Sequence, residues 1–306
     1  MKTERTFIDD IKHQYKHGGT TIRLIFVNVI IFLTIRILEV FSDLGGMPPN
    51  WFSNTIVNPV FGLPTKITEF ITHPWTLFTS IFTHYSLFHL LFNMIFLYFA
   101  GRMFTQLFDK RRLIYTYILG GVAGGMLEIL AHSLFPKLSV FNDIVIGASG
   151  AIMAIFIAIA FYRPQIKVNF FGIFPVRIII LAVVFILMDL LDLGKSDGTA
   201  HFAHLGGAIF GIVSIQNLQG HGNIINRFQR LMHRFPKIKF TNNSRKMKVK
   251  KGGRTSTAKS DEEYNLDSKL EQERIDKILD KISKSGYESL TKKEKEFLFN
   301  KSKNGQ

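Results

Sequence analysis

Six apolar segments, each close to 20 residues long, dominate the chain between residues 21 and 219. They cover about 21–42, 85–107, 112–134, 144–162, 169–191 and 199–219. A helix needs about 20 apolar residues to cross the hydrocarbon core of a bilayer, which is ~30 Å thick. A large soluble core is the alternative, but it is disfavoured because 144–162 contain no charged residue. The pattern predicts an all-α, polytopic membrane protein with six transmembrane helices.

The distribution of charge predicts the topology. The chain carries a net charge of +15 although 47% of its residues are hydrophobic, so basic and apolar residues must be segregated. Lys and Arg cluster in residues 1–20 and in every second connection between the apolar segments. Cationic connections stay in the cytoplasm, so six spans with both termini cytoplasmic satisfy the pattern. We expect no removed signal peptide and a bacterial plasma (inner) membrane as the location.

A hydroxyl and an imidazole occupy corresponding places in two of these segments. Ser149 lies near the start of the fourth segment, and His204 lies near the start of the sixth. With a rise of ~1.5 Å per residue, both residues lie about one to one and a half turns below the outer face. A hydroxyl nucleophile beside an imidazole base at the same depth is what peptide hydrolysis within a bilayer requires.

Small residues at a spacing of four recur on both of these segments. Helices in lipid approach one another closely where small side chains let their backbones touch. The residues predicted to bring the two helices together are Gly150, Ala154 and Ala158 on the fourth segment, and Gly207 and Gly211 on the sixth.

Three polar residues lie in or near the second segment. At 100° per residue His89 and Asn93 share one face of a helix, whereas His84 is turned by about 140° from His89. Polar side chains within a span usually face a cavity or a partner. We expect His89 and Asn93 to stabilise a negatively charged oxygen during a reaction, and His84 to make a polar contact near the helix start. Polar contact between helices is the alternative for all three.

At these residues the sequence resembles the rhomboid family of intramembrane serine proteases. The matching motifs, in family order on the second, fourth and sixth segments, are His84-x4-His89-x3-Asn93, Gly147-x-Ser149-Gly150 and His204-x2-Gly207-x3-Gly211. The resemblance covers about residues 21–219 and implies a six-helix rhomboid bundle.

The resemblance also implies a mechanism. Ser149 would be the nucleophile and His204 its general base, in a dyad with no carboxylate as a third member. The backbone N–H of Ser149 would hold the oxyanion together with His89 and Asn93. Gly147 would support the oxyanion site together with His89 and Asn93. The structural surroundings of this site would be supplied by His84, Gly150, Gly207 and Gly211. Substrates would be single-span membrane proteins that enter from the lipid. We expect the fifth helix and the Asp189-to-Gly198 region to be the gate, because Gly194 and Gly198 can act as hinges beside the site.

Two rival functions compete with this interpretation. A catalytically silent rhomboid-like protein that binds and escorts membrane clients is disfavoured because both the serine and the histidine are present. A metal-dependent enzyme or transporter would use His84, His89, His201 and His204. It is disfavoured because the chain has no His-Glu-x-x-His pattern and no carboxylate accompanies these histidines. We therefore expect no metal or cofactor, and a structural or interfacial role for His201.

The remaining chain predicts three further parts beside the 21–219 domain. Residues 1–20 form a cytoplasmic N-terminal segment, and 220–260 form a basic, flexible linker that is attracted to anionic lipid. Residues 261–306 form a cytoplasmic helical tail module, in which Thr291 and Glu294 make a capping pattern. Nucleic acid is not an expected partner. A solvated helical hairpin and a docking module for an unidentified cytoplasmic partner are both compatible with the tail.

Overall fold

A computed structural model describes residues 6–135, 137–138, 144–170, 174–195, 199–234 and 274–303. The chain forms two compact units, Met1–Ile238 and Lys239–Gln306. The described part of the first unit is mostly helical, with two small antiparallel sheets of two strands each.

Among the residues that the structure describes, three helices are long and apolar enough to cross a membrane. They are α2 (Gly19–Leu44), α6 (Leu87–Leu107) and α7 (Lys110–Leu134), and a short helix α1 (Phe7–His17) precedes them. At 1.5 Å per residue, the shortest of the three extends about 31 Å, which matches the bilayer core. The chain is therefore a membrane protein.

Three further apolar helices are shorter than the sequence predicts. They are α8 (Ser149–Tyr162), α9 (Ile178–Leu191) and α10 (His201–Ser214), each of 14 residues. A helix of this length extends only about 21 Å. The prediction of about 20 helical residues for 144–162, 169–191 and 199–219 is therefore wrong, because an apolar run does not by itself distinguish helical from extended backbone.

Extended segments replace the missing helical turns before α8 and α9, and turns follow α10. Before α8, strand β2 (Ile144–Val145) pairs with β1 (Leu63–Pro64). Before α9, strands β3 (Lys167–Phe170) and β4 (Phe174–Arg177) form a hairpin, with Asn169 opposite Pro175. Pro175 could not have continued a helix without loss of a hydrogen bond, so it excludes a helix interior there.

The segment between α2 and α6 folds into a series of short elements. They are a π-helix (Ser53–Val57), α3 (Asn58–Phe61), β1, α4 (Ile67–Thr72), α5 (Thr76–Thr79) and a 3-10 helix (Ser80–Phe82). Trp51 and Trp75 are exposed in this segment. Exposed tryptophans beside apolar helices favour the membrane–water interface. The pairing of β1 with β2 ties this segment to the chain that leads into α8.

Helix α8 is the centre of the membrane unit. Ten of its 14 residues are buried, including every residue from Ala154 to Ala160. It packs against α6, α7, α9 and α10. By contrast, α2 and α9 leave large apolar side chains exposed, which is the face that a bilayer would cover.

The contact between α8 and α10 is made through glycine. A Cβ atom on Gly207 would collide with the carbonyl oxygen of Gly150, and one on Gly211 would lie 2.5 Å from the carbonyl oxygen of Ala154. Both obstacles are backbone atoms, so they cannot move aside without shifting a helix. The helices can stay this close only if both positions lack a side chain.

Replacing Gly207 by alanine should therefore push α10 away from α8. We expect a loss of about 1–3 kcal/mol or more of unfolding free energy, the usual cost of overpacking. Unfolding in mixed micelles with a denaturing detergent would measure it. Gly222→Ala is the matched control, since a Cβ there would meet only the Asn217 side chain at 3.7 Å. Equal stability of the two variants would contradict the proposed packing.

Helix α11 (Ile224–Arg234) follows the membrane helices, where a flexible linker was expected. A flexible linker was predicted from residue 220, but Ile225 is fully buried and Arg112 of α7 donates to the side chain of Asn226 at 2.8 Å. The prediction is wrong for residues 224–234, because a packed apolar side chain and a buried arginine hold this stretch in place. Residues 235–260 lie outside the described residues.

The second unit is described over residues 274–303. It contains a helix α12 over 274–285, a 3-10 turn (Tyr287–Ser289) and α13 (Lys292–Lys303). Ile278 and Leu290 are buried, and the Lys281 ammonium lies 3.0 Å from the Glu294 carboxylate. The backbone N–H of Thr291 donates to Glu294 at 2.7 Å, as the capping pattern predicts. This hydrogen bond, with those from Lys281 and the Thr291 hydroxyl, lowers the pKa of Glu294 to about 2.

Candidate active site

Ser149 and His204 lie at the junction of two cavities, one of about 470 Å³ and one of about 350 Å³. Ser149 is the first residue of α8, and His204 is in the first turn of α10. Both cavities are also lined by His89, Asn93 and Thr199. The structure thus brings Ser149, His204, His89 and Asn93 to one place, although Ser149 lies at the helix start and not a full turn inside it.

The start of α8 suits the binding of negative charge. The first N–H groups of a helix have no intrahelical acceptor, and the helix dipole makes this end positive. The loop before it is fixed because the N–H of Gly147 donates to the carbonyl oxygen of Ser80 at 2.9 Å. Gly147 has a φ of +131°, and a Cβ there would lie 2.9 Å from the Nε2 atom of His89. Glycine at position 147 therefore leaves room for the His89 ring beside Ser149.

The three polar residues near α6 do not all lie on the helix. His89 and Asn93 lie on α6, and the Asn93 amide donates to the His89 carbonyl oxygen at 2.9 Å. His84 precedes the helix, whose N-cap is Ser86. The prediction that His84 is turned away from His89 on one helix is therefore wrong, since the two rings lie 5.0 Å apart. Among the described residues neither buried ring nitrogen of His84 has a hydrogen-bond partner.

A carboxylate accompanies the histidines of α10. The Nδ1 atom of His204 lies 2.9 Å from Oδ1 of Asp189, and the Nδ1 atom of His201 lies 2.8 Å from the same oxygen. The expectation that no carboxylate accompanies these histidines is therefore wrong. The physical reason is that α9 packs against α10, with Asp189 in the last turn of α9 and both histidines in the first turn of α10.

Glu128 of α7 is a second buried carboxylate that the sequence analysis missed. Its Oε2 atom accepts a hydrogen bond from the backbone N–H of Ala203 at 2.8 Å, and its Oε1 atom lies 3.4 Å from Nδ1 of His132. Ala203 is in the first turn of α10, so Glu128 acts as the cap that the chain next to this helix does not supply. An acidic residue in an apolar segment was the available signal, because such a residue needs a partner.

The segment after α9 was predicted to act as a hinge. Gly194 has a φ of +79°, a conformation that favours glycine. Gly198, the other predicted hinge, lies outside the described residues.

Comparison with known families agrees with this arrangement of motifs. Residues 72–218 match the model of the rhomboid domain, a stretch that contains all three motifs and helices α6 to α10. The membrane unit of this chain belongs to the rhomboid family.

Several curated rhomboid relatives resemble the chain over the same region. RHOMBOID-like protein 12, mitochondrial, from Arabidopsis thaliana is 29% identical over 144 residues, which are 44% of this chain and 43% of that protein. RHOMBOID-like protein 1 from Arabidopsis thaliana is 32% identical over 139 residues, 45% of this chain and 33% of that protein. Rhomboid protease AarA from Providencia stuartii is 29% identical over 155 residues, 46% of this chain and 55% of that protein. The chain thus spans about a third to a half of these rhomboid proteins.

A second family model matches outside the rhomboid domain. Residues 259–304 match a family of unknown function, DUF6576. The match includes α12 and α13 of the second unit.

Proposed function

We propose that this rhomboid domain is an intramembrane serine endopeptidase that cleaves single-span membrane proteins in or near their transmembrane segments. The observation that carries the proposal is the shared position of Ser149 and His204 at the junction of the two cavities. A neighbouring imidazole activates a weak hydroxyl nucleophile and then returns the proton to the leaving amine.

The reaction proceeds in two halves. The Oγ atom of Ser149 adds to the scissile carbonyl carbon while Nε2 of His204 accepts the hydroxyl proton. The C–N bond then breaks, the amine leaves with that proton, and an ester to Ser149 forms. Water hydrolyses the ester with the same histidine as base. Asp189 acts as a positioning residue, because its carboxylate accepts from Nδ1 of His204 and keeps the lone pair of Nε2 free.

The negative oxygen of the tetrahedral intermediate is held by three donors. They are the backbone N–H of Ser149, the ring of His89 and the second amide hydrogen of Asn93. Donors fixed around such an oxygen are worth about 10²–10³-fold in rate each. Gly147 supports this arrangement because it leaves space for the His89 ring.

The larger cavity supports lateral entry of substrate. Its apolar wall is formed by Phe92 and Phe96 of α6 and by Phe185 and Met188 of α9. A transmembrane helix could pass between these two helices and unwind, since a helical peptide bond is shielded until its hydrogen bonds are replaced. In this proposal α2 and α6 to α10 are the six spans. The basic connections support a topology with both termini in the cytoplasm and the site toward the outer face of a plasma membrane.

A fluorophosphonate probe tests the nucleophile directly. We expect the folded wild-type protein in detergent to be labelled at Ser149, as mapped by mass spectrometry, and the label to be absent from heat-unfolded protein. His204→Asn should prevent labelling, because the hydroxyl loses its base. A chelator should change neither labelling nor cleavage of a model single-span substrate. If the folded protein is neither labelled nor able to cleave the substrate but still binds it, the result would favour a catalytically silent protein that binds membrane clients.

A further inference from the structure

The contact between α9 and α10 gathers three groups that bind metal ions. One ligand atom each from Asp189, His201 and His204 lie within 4.8 Å of one another. Both imidazoles direct Nδ1 at the same oxygen, Oδ1 of Asp189, at 2.8 and 2.9 Å. The side chains of these residues are only 9%, 9% and 16% exposed, so the cluster is held by its surroundings.

Two imidazole nitrogens and a carboxylate oxygen form a donor set that Zn²⁺ favours. In sites with three protein ligands the ion is tetrahedral, and water takes the fourth position. Bonds of ~2.0–2.1 Å in tetrahedral geometry place the ligand atoms about 3.3 Å apart. The observed distances of 2.8 and 2.9 Å are about half an ångström shorter than this, and the ligand atoms of the two histidines lie within 4.8 Å of each other. Binding therefore requires side-chain shifts of about 0.5 Å for the contacts to Asp189 and of up to about 1.5 Å between the two histidines.

The cluster is accessible from the cavity that contains the serine. Asp189, His201 and His204 all line the 470 Å³ cavity together with Ser149. An ion can enter without unfolding of the helices, and a water molecule in the cavity can fill its fourth position. The cluster can thus exchange an ion with the surroundings.

We propose that Asp189, His201 and His204 form a Zn²⁺ site that inhibits this protein. The inhibition, but not the binding, rests on the proposed protease function. A neutral imidazole carries one ring proton. When Zn²⁺ takes the lone pair of Nδ1 in His204, that proton lies on Nε2. Nε2 then has no lone pair for the hydroxyl proton of Ser149. The ion also takes the carboxylate of Asp189, which otherwise accepts from His204.

Metal binding can be measured without any turnover. We expect purified Ser149→Ala protein in detergent to bind one Zn²⁺ per chain by calorimetry, and Co²⁺ to give the visible absorption of a tetrahedral site. His201→Gln and His201→Asn, each combined with Ser149→Ala, should weaken binding by about tenfold or more, as is usual when support for a bound metal is removed. His221→Gln is the matched control, since His221 is exposed and outside the cluster.

The second arm measures inhibition of the wild-type enzyme. We expect Zn²⁺ to stop cleavage of a single-span substrate in liposomes, a chelator to restore it, and His201→Gln to raise the concentration needed for half inhibition by about tenfold or more. If the His201 and His221 variants bind Zn²⁺ with equal affinity, the assignment of this metal site is wrong. If the enzyme cleaves at its full rate while the site is saturated with Zn²⁺, the proposed inhibition is wrong. A wild-type protein that binds Zn²⁺ at this site but never cleaves would instead contradict the proposed function.

Discussion

Ser149→Ala protein is expected to cleave a single-span substrate at least about 10⁴-fold more slowly than the wild type, because loss of the nucleophile leaves only binding and oxyanion stabilisation. The substitution removes one oxygen at the first residue of α8, so the fold should be preserved. Turnover of a fluorescent transmembrane substrate in liposomes measures the effect as kcat/KM.

Ser133→Ala is the matched control for this loss. Ser133 lies on α7, its hydroxyl donates to the carbonyl oxygen of Ile129 at 2.8 Å, and it lines neither cavity at Ser149. This variant should retain wild-type turnover. Undiminished cleavage by purified Ser149→Ala protein would exclude Ser149 as the nucleophile.

Asp189→Asn should lower kcat by roughly 10²–10⁴-fold with a smaller change in KM, because a carboxylate beside the catalytic histidine fixes its tautomer and stabilises the imidazolium. The amide can present an N–H group where the carboxylate presents an oxygen, so His204 would turn its lone pair toward residue 189. The hydroxyl of Ser149 would then lack a proton acceptor. A pH–rate profile should show a displaced acidic limb, because that limb reports protonation of the catalytic base, and a purely structural role would not displace it.

Asp192→Asn serves as the control for this position. Asp192 lies three residues further along, where it pairs with Lys195 and does not contact His204 in any hydrogen bond of the described residues. It should keep wild-type kcat within a few-fold. Equal kcat for Asp189→Asn and the wild type would remove Asp189 from the mechanism.

The sequence predicted which residues meet at the site better than it predicted the lengths of the helices and the distant contacts around them. Ser149 and His204 could be paired because polar residues in apolar segments are few, and because small residues mark where helices approach. The contact of Gly207 with Gly150 follows from the same rule. These inferences need only local spacing, which the sequence contains.

Features that depend on distant contacts could not be predicted in this way. The carboxylate of Asp189 reaches His204 from α9, 15 residues away in sequence, and Glu128 reaches Ala203 from α7, 75 residues away. Neither partner is marked by any spacing within a helix. The predicted helix lengths were wrong for a different reason. Helices and the extended segments before α8 and α9 share an apolar composition.

The burial of α8 on all its sides has a consequence for variation among related chains. A helix that borders lipid can exchange Leu, Ile and Phe at little cost, because lipid chains fill whatever shape is left. Apart from Phe156, which lines the larger cavity, the residues from Ala154 to Ala160 meet only protein, so the packing leaves no space for an added methylene group. We therefore expect natural sequence drift to be concentrated on the outer faces of α2 and α9, and the interior helix to change only together with its neighbours.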